Sequence, residues 1–249
     1  MSASRDELSD LALAFNALLD RVQVSMERQG RFTAEASHQL RTPLTAMLGQ
    51  TEVALRRPRD PAEYVRVLQL VESQAHELRQ LIDALLFLSR ADEEARLPEL
   101  QAIALGAWLE QRLAAWRETP RGNDVQLEVA PDLPIVRAHP VLLGQLLDNL
   151  VDNAGKYSPS GSAITVLAKM TGSGAEISVA DEGPGLSLAD RAHLFQPFYR
   201  GDTARAQGIR GTGLGLAIAA RLAAALGGTL QLDETRARGT RLVLLLPRG

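Results

Sequence analysis

Ser37-His38-Gln39-Leu40-Arg41-Thr42-Pro43-Leu44 sets a histidine and a threonine four residues apart and follows them at once with a proline. Leu40, Leu44, Met47, Leu48, Thr51 and Leu55 recur at the 3.6-residue period of one helical face, and His38 falls off that stripe. The spacing predicts a helix with an outward histidine and with Thr42 one turn along on the same face. Pro43 cannot donate to the carbonyl of Gln39, so the helix is expected to bend or loosen beside the histidine. An outward imidazole on softened backbone gives a partner access, which points to phosphoryl chemistry on that side chain. His76, His139 and His193 lack such neighbours and read as solvated or hydrogen-bonded side chains.

Upstream, Leu8, Leu11, Phe15, Leu18 and Val22 continue the steps of three and four, so one long helix is expected from residue 6 to residue 57. Arg57-Pro58-Arg59-Asp60-Pro61 breaks it. Asp60 as N-cap, Pro61 at the first helical position and Glu63 in the first turn begin a second helix. Tyr64, Val71, Leu78 and Leu85, with Leu68, Ala75 and Ile82 beside them, give residues 61 to 90 one broad apolar face. The two helices form a hairpin whose stripes are too wide for a single contact. Two hairpins packed as a four-helix bundle, a homodimer, is the expected solution.

After Ala91-Asp92-Glu93-Glu94 the character changes. Short alternating strands are expected at Val125 to Val129, Ala163 to Met170, Ala175 to Asp181, Thr229 to Asp233 and Thr240 to Leu246, with helices at about 105 to 117, 140 to 157 and 213 to 226. The fold class is therefore multidomain: an all-α hairpin plus an α+β two-layer sandwich, one mixed sheet with helices on one face. The whole, 249 residues with 45% hydrophobic and 23% charged, is ordinary for a globular chain that buries a core. A net charge of -3 and the lack of any basic run interleaved with aromatics argue against direct nucleic-acid binding. Zero cysteines exclude disulfides, thiolate metal sites and a cysteine nucleophile. No apolar run approaches a membrane span and no signal-peptide pattern follows Met1, so the chain as given is expected to be soluble.

Three constellations lie in the second domain. Asn149 and Asn153 share a helix face with Lys156 one turn on, two amide oxygens and an ammonium that suit a magnesium ion bridged to nucleotide phosphates. Asp181-Glu182-Gly183-Pro184-Gly185 ends a strand, leaving a carboxylate for an exocyclic amine such as that of adenine. Gly183 and Gly185 permit close backbone approach. Gly211-Thr212-Gly213-Leu214-Gly215-Leu216 opens a helix whose free N–H groups can hold phosphate oxygens, although its spacing fits neither the dinucleotide fingerprint nor the P-loop. Between these loops, Phe195-Gln196-Pro197-Phe198-Tyr199-Arg200 and the polar residues 201 to 210 read as a mobile lid.

The order of these motifs resembles that of bacterial two-component sensor histidine kinases over nearly the whole chain. Phe32 to Leu44 resembles the family's H box, Asn149 to Tyr157 its N box, Asp181 to Gly185 its G1 box, Phe195 to Arg200 its F box and Gly211 to Leu216 its G2 box. Asp6-Glu7-Leu8 with Leu11, Phe15 and Asn16 is similar to the last helix of a HAMP signal-relay module. The resemblance implies a HAMP-like remnant over residues 1–24, a dimerisation and phosphotransfer hairpin over 25–92, and an ATP-binding domain related to those of gyrase and chaperone ATPases over 93–249. It implies His38 as phosphoacceptor, with Thr42 orienting water when the phosphorylated response regulator is hydrolysed. Asn153, supported by Asn149, would hold Mg²⁺, and Lys156 would meet phosphate. Tyr157 would pack near the base, Asp181 would bind the adenine amine, and Thr240 would assist through a hydroxyl or water. Gly211, Gly213 and Gly215, with Thr212 and Leu214 between them, would form the phosphate loop beside Arg200. The implied partners are a second copy of the chain and a receiver domain, in a receptor anchored to a membrane through further segments.

One departure concerns the chemistry. The family usually has an acid after the phosphoacceptor, as base or charged orienter, whereas this chain has Gln39. An amide cannot take the proton, but its carbonyl can accept from the imidazole N–H and fix the tautomer. General-base help is worth about 10² to 10⁴ in rate, so a slow autokinase is expected unless solvent or another group takes the proton. Gly155 weakens the N-box helix by about 1 kcal/mol relative to alanine, and His139 precedes Pro140 where the family commonly has an acid. A nucleotide-binding scaffold or phosphatase-biased protein is the alternative that Gln39 supports. A chaperone-like or topoisomerase-like ATPase is disfavoured, because those relatives have a glutamate base where this chain has Asn149.

Overall fold

The computed structural model describes residues 3–89, 100–131, 133, 135–172, 174–206, 208–209, 211–236 and 238–248, the side chains of residues 3–12 and 28 excepted. The chain divides into two compact units, residues 1–82 and 83–249. The expected domain junction at residues 92 and 93 and the side chains of Asp6, Glu7, Leu8 and Leu11 lie outside the described residues.

Helix α1, Ala3–Leu55, runs unbroken through Pro43, and α2, Pro61–Ser89, returns from a short turn. The turn is built as its residue types require. Asp60 Oδ1 accepts from Ala62 N at 2.8 Å while its carbonyl accepts from Glu63 N at 2.9 Å, and Arg59 reaches back to the Val53 carbonyl at 3.1 Å. The apolar stripe of α1 divides in two. Leu40, Met47 and Thr51 are half-buried alongside buried Ala36, Pro43 and Ala54. Leu44, Leu48 and Leu55 stay 48%, 55% and 81% exposed, and Val65, Leu68, Leu70 and Ile82 of α2 are exposed too. Among the described residues no helix is long and apolar enough to cross a membrane.

The second unit contains β1, Gln101–Ala104; α3, Leu105–Arg117; β2, Val125–Val129; β3, Ile135–Ala138; α4, Pro140–Tyr157; β4, Ile164–Thr171; and β5, Gly174–Ala180. The short helices α5, Leu188–Arg191, and α6, Asp202–Ala206, lead to α7, Gly215–Ala225, then β6, Thr229–Leu232, and β7, Arg241–Pro247. Five strands form a mixed sheet in the order β2-β4-β5-β7-β6, in which only β2 and β4 are parallel. The expectation of one sheet needs correction. Strands β1 and β3, unmarked by alternation in the sequence, pair antiparallel as a separate two-stranded sheet. A short helix, α6, also lies within the stretch expected to be all lid.

The core follows from strand alternation. Ile164, Val166 and Ala168 of β4, Ala175, Ile177 and Val179 of β5 and Leu242, Leu244 and Leu246 of β7 are all buried. Against β4 and β5 lie Leu143, Leu146, Leu147 and Leu150 of α4, while α7, with buried Ala219, Leu222 and Ala223, packs on α4 and β6. On the other face Glu176 bridges Lys169 at 3.2 Å and Arg241 at 3.1 Å. This two-layer arrangement brings the end of β5 and the polar flank of α4 to the same side as the loop that opens α7.

Candidate functional site

Helix α4 carries the two asparagines and is held at several points. Pro140 occupies its first position, and His139 Nδ1 accepts from Leu142 N at 3.4 Å, so the histidine caps the helix where an acid would. Arg112 makes a two-pronged contact with Asp148, the neighbour of Asn149, and Trp116 Nε1 donates to the same carboxylate at 2.8 Å. At the far end Arg121 donates to the carbonyls of Gly155 at 2.6 Å, Ser158 at 3.2 Å and Pro159 at 2.8 Å while pairing with Asp124. Gly155 lies in the last turn of α4, where carbonyls lack helical partners, and Ser158 and Pro159 follow directly after it. Asn149 and Asn153 are half-buried, and among the described residues neither side chain has a hydrogen-bond partner. Lys156 is turned to Asp152 one turn back.

Asp181 is 5% exposed and follows the central strand. Its Oδ1 accepts from Gly183 N at 2.7 Å and Thr240 N at 3.1 Å, and its own N–H donates to the Thr240 carbonyl at 2.9 Å. Burial raises its carboxyl above the ordinary range, and the Gly183 and Thr240 donors oppose that shift. A Cβ on Gly183 would stand 2.6 Å from the Tyr157 carbonyl oxygen and 2.8 Å from Asp181 Oδ1, so only glycine fits where α4 ends beside this carboxylate. Tyr157, Asp181, Gly183 and Thr240 are therefore brought together, and Gly185 turns the chain onward at φ +77°.

The glycine loop meets the same unit from the other side. Gly213 has φ +72°, and a Cβ there would stand 2.6 Å from the Phe198 carbonyl carbon. Phe198, itself at φ +64°, donates its N–H to the Gly213 carbonyl at 2.9 Å. A non-glycine residue in that region is uncommon and costs about 1 to 3 kcal/mol, which the surrounding structure must offset. A Cβ on Gly215 would lie 3.6 Å from Asn149 Oδ1, so the amide oxygen faces the first residue of α7. Leu214 is buried as the anchor of the loop, Thr212 is half-buried and Gly211 is open. Arg200 donates to the Ile209 carbonyl, and its buried Nε has no acceptor among the described residues.

One anchoring group escaped the sequence reading. Ser187 Oγ and Tyr199 Oη both donate to Asp190, each at 2.7 Å, and Asp190 N donates to Ser187 Oγ at 3.1 Å. The Tyr199 and Ser187 donors hold the Asp190 carboxyl below its usual range, while the same bond to Asp190 raises the Tyr199 phenol. The S-x-x-D spacing of Ser187 and Asp190 is a helix-start signal that could have disclosed it.

On the hairpin, His38 and Thr42 are exposed, and they line one surface depression with Arg41, Thr45 and Ala46. Thr42 Oγ1 donates to the His38 carbonyl at 3.2 Å. Gln39 is half-buried, and its Nε2 donates to Glu35 Oε1 at 2.9 Å.

Residues 138–249 match the family described as histidine kinase-, DNA gyrase B- and HSP90-like ATPase, and residues 28–94 match the His Kinase A (phospho-acceptor) domain. The sensor protein IrlS of Burkholderia pseudomallei is 35% identical over 92% of this chain and 49% of its own length. The signal transduction histidine-protein kinase/phosphatase MprB of Mycolicibacterium smegmatis is 36% identical over 97% of this chain and 50% of its own length. Full-length ShkA, solved in complex with AMPPNP, shares 29% identity and a TM-score of 0.63 over 85% of this chain and 44% of that one. The chain spans about half the length of the curated relatives it matches.

Proposed function

We propose that this chain, which belongs to the two-component sensor histidine kinases, transfers the γ-phosphoryl group of ATP to His38 and then to an aspartate of a response-regulator receiver domain. The observation that carries the proposal is an exposed histidine on the helix of a phosphoacceptor hairpin in the same chain as an ATPase-family domain with a buried acceptor carboxylate at Asp181, held by two backbone N–H groups. Dimerisation through the hairpin belongs to the proposal, supported by its exposed leucines. Membrane anchorage of the full-length receptor is supported by the HAMP-like sequence of residues 6 to 16.

Asp181 accepts from the adenine amine, a hydrogen bond to a charged acceptor worth about 1.5 to 3 kcal/mol. The backbone N–H groups of the Gly211 to Gly215 loop face phosphate oxygens, and the unpaired Nε of Arg200 is a donor suited to an anion. Lys156 exchanges its exposed partner Asp152 for phosphate. The amide oxygens of Asn149 and Asn153, without hydrogen-bond partners among the described residues, would hold a hard cation. Mg²⁺ bound there supplies positive charge against the transferring group. His38 attacks as the neutral imidazole, forming an N–P bond as the bond from phosphorus to the bridging oxygen breaks and ADP leaves. Thr42 serves the reverse activity, orienting water against the phosphorylated regulator, as the kinase/phosphatase name of MprB supports.

The test is incubation of the purified chain with Mg-ATP. An acid-labile, base-stable phosphoprotein is expected, abolished in His38→Ala. Labelling of wild type no greater than that of the variant, with nucleotide still bound, would leave a nucleotide-binding scaffold instead.

A further inference from the structure

The hairpin supplies a carboxylate that the residue after His38 does not. Glu35 precedes His38 by three positions and Gln39 by four, so it neighbours both on the helix surface, with β-carbons about 5 to 6 Å apart. Gln39 Nε2 holds Glu35 Oε1 at 2.9 Å in a half-buried setting. A carboxylate only accepts, so the Gln39 amide must present its N–H side, and the contact fixes the orientation of both groups. Glu35 Oε2 and the His38 ring have no partner among the described residues.

From this juxtaposition we infer that Glu35 is the proton acceptor and orienter of His38, with Gln39 as the positioning residue that holds its carboxylate. The inference rests on His38 being the phosphoacceptor. Glu35 Oε2 accepts the Nδ1–H of the neutral imidazole, which fixes the tautomer with its lone pair on Nε2. As Nε2 bonds to the γ-phosphorus and ADP departs with the bridging electron pair, the Nδ1 proton passes to Glu35 and then to water. The proton that an amide cannot take therefore has an acceptor one turn away.

Initial rates of autophosphorylation of the full chain, measured against ATP concentration, test this in a double-mutant cycle. Glu35→Gln is expected to lower kcat by about 10²-fold with KM for ATP unchanged. Gln39→Leu should lower it several-fold, and the double variant should be no slower than Glu35→Gln alone, because Gln39 acts only through Glu35. Circular dichroism should give the same helicity for all four proteins. A wild-type rate in Glu35→Gln, or losses that multiply in the double variant, overturns the assignment. Failure of wild type to label above His38→Ala would instead sink the phosphoacceptor reading beneath it.

Discussion

Asp181 carries a conflict between its burial and the donors that hold it. Its folded-state carboxyl lies above the ordinary range because burial outweighs the Gly183 and Thr240 donors. A raised carboxyl means that the native state holds the proton more tightly than the unfolded chain. Stability from this group is present below the unfolded value and is lost as pH rises through the folded one, so at neutral pH the ionised side chain costs stability. Asp181→Asn keeps an acceptor for Gly183 and Thr240 while removing that charge. We expect its thermal midpoint at pH 7 to equal or exceed that of wild type, while its affinity for ADP in calorimetric titration falls at least about tenfold. Unchanged affinity would remove Asp181 from the nucleotide site. The place of Asp181 at a strand end was legible in the sequence, because the alternating run from Ala175 stops there against Gly183 and Gly185. Glu35 was not, because many helix residues stand four apart, and only coordinates say which of them bond.

Helix α4 shows how an element is aimed. Its middle is fixed by Arg112 and Trp116 on Asp148, its exit by Arg121 on three carbonyls, and its entry by the longer His139 cap at 3.4 Å. Asp is the stronger N-cap and its charge suits the positive helix end, so His139→Asp should raise stability by about 0.5 to 1 kcal/mol, visible as a higher urea midpoint with an unchanged m-value. A lowered midpoint would mean that the imidazole serves packing instead of capping. The start of α2 was legible because Asp60 and Pro61 punctuate it. The four-residue strands β1 and β3 were not, since their identity lies in pairing across the intervening chain, as with Gln101 against Ala138. Arg121 was equally silent, because nothing in a lone arginine announces which distant carbonyls it will meet.

At the scale of the molecule, the hairpin leaves Leu44, Leu48, Leu68 and Val65 between 48% and 65% exposed, whereas the ATPase-family unit closes its own core. Apolar surface of that extent is what a second hairpin would bury. Leu48→Glu is expected to shift the mass by light scattering from dimer toward monomer while ADP affinity stays unchanged; a persistent dimer would place the contact elsewhere. The two-part plan was readable from periodicity alone, and the second sheet was not. Helix α1 has a further consequence. At 53 residues it is a rod about 80 Å long whose hydrogen-bond ladder loses a rung where Pro43 faces the Gln39 carbonyl. A shaft of this kind is torsionally stiff up to its one soft joint. A rotation applied upstream would therefore swing His38 around the axis like a cam on its spindle, and the missing hydrogen bond at Pro43 would let the turns beyond it lag.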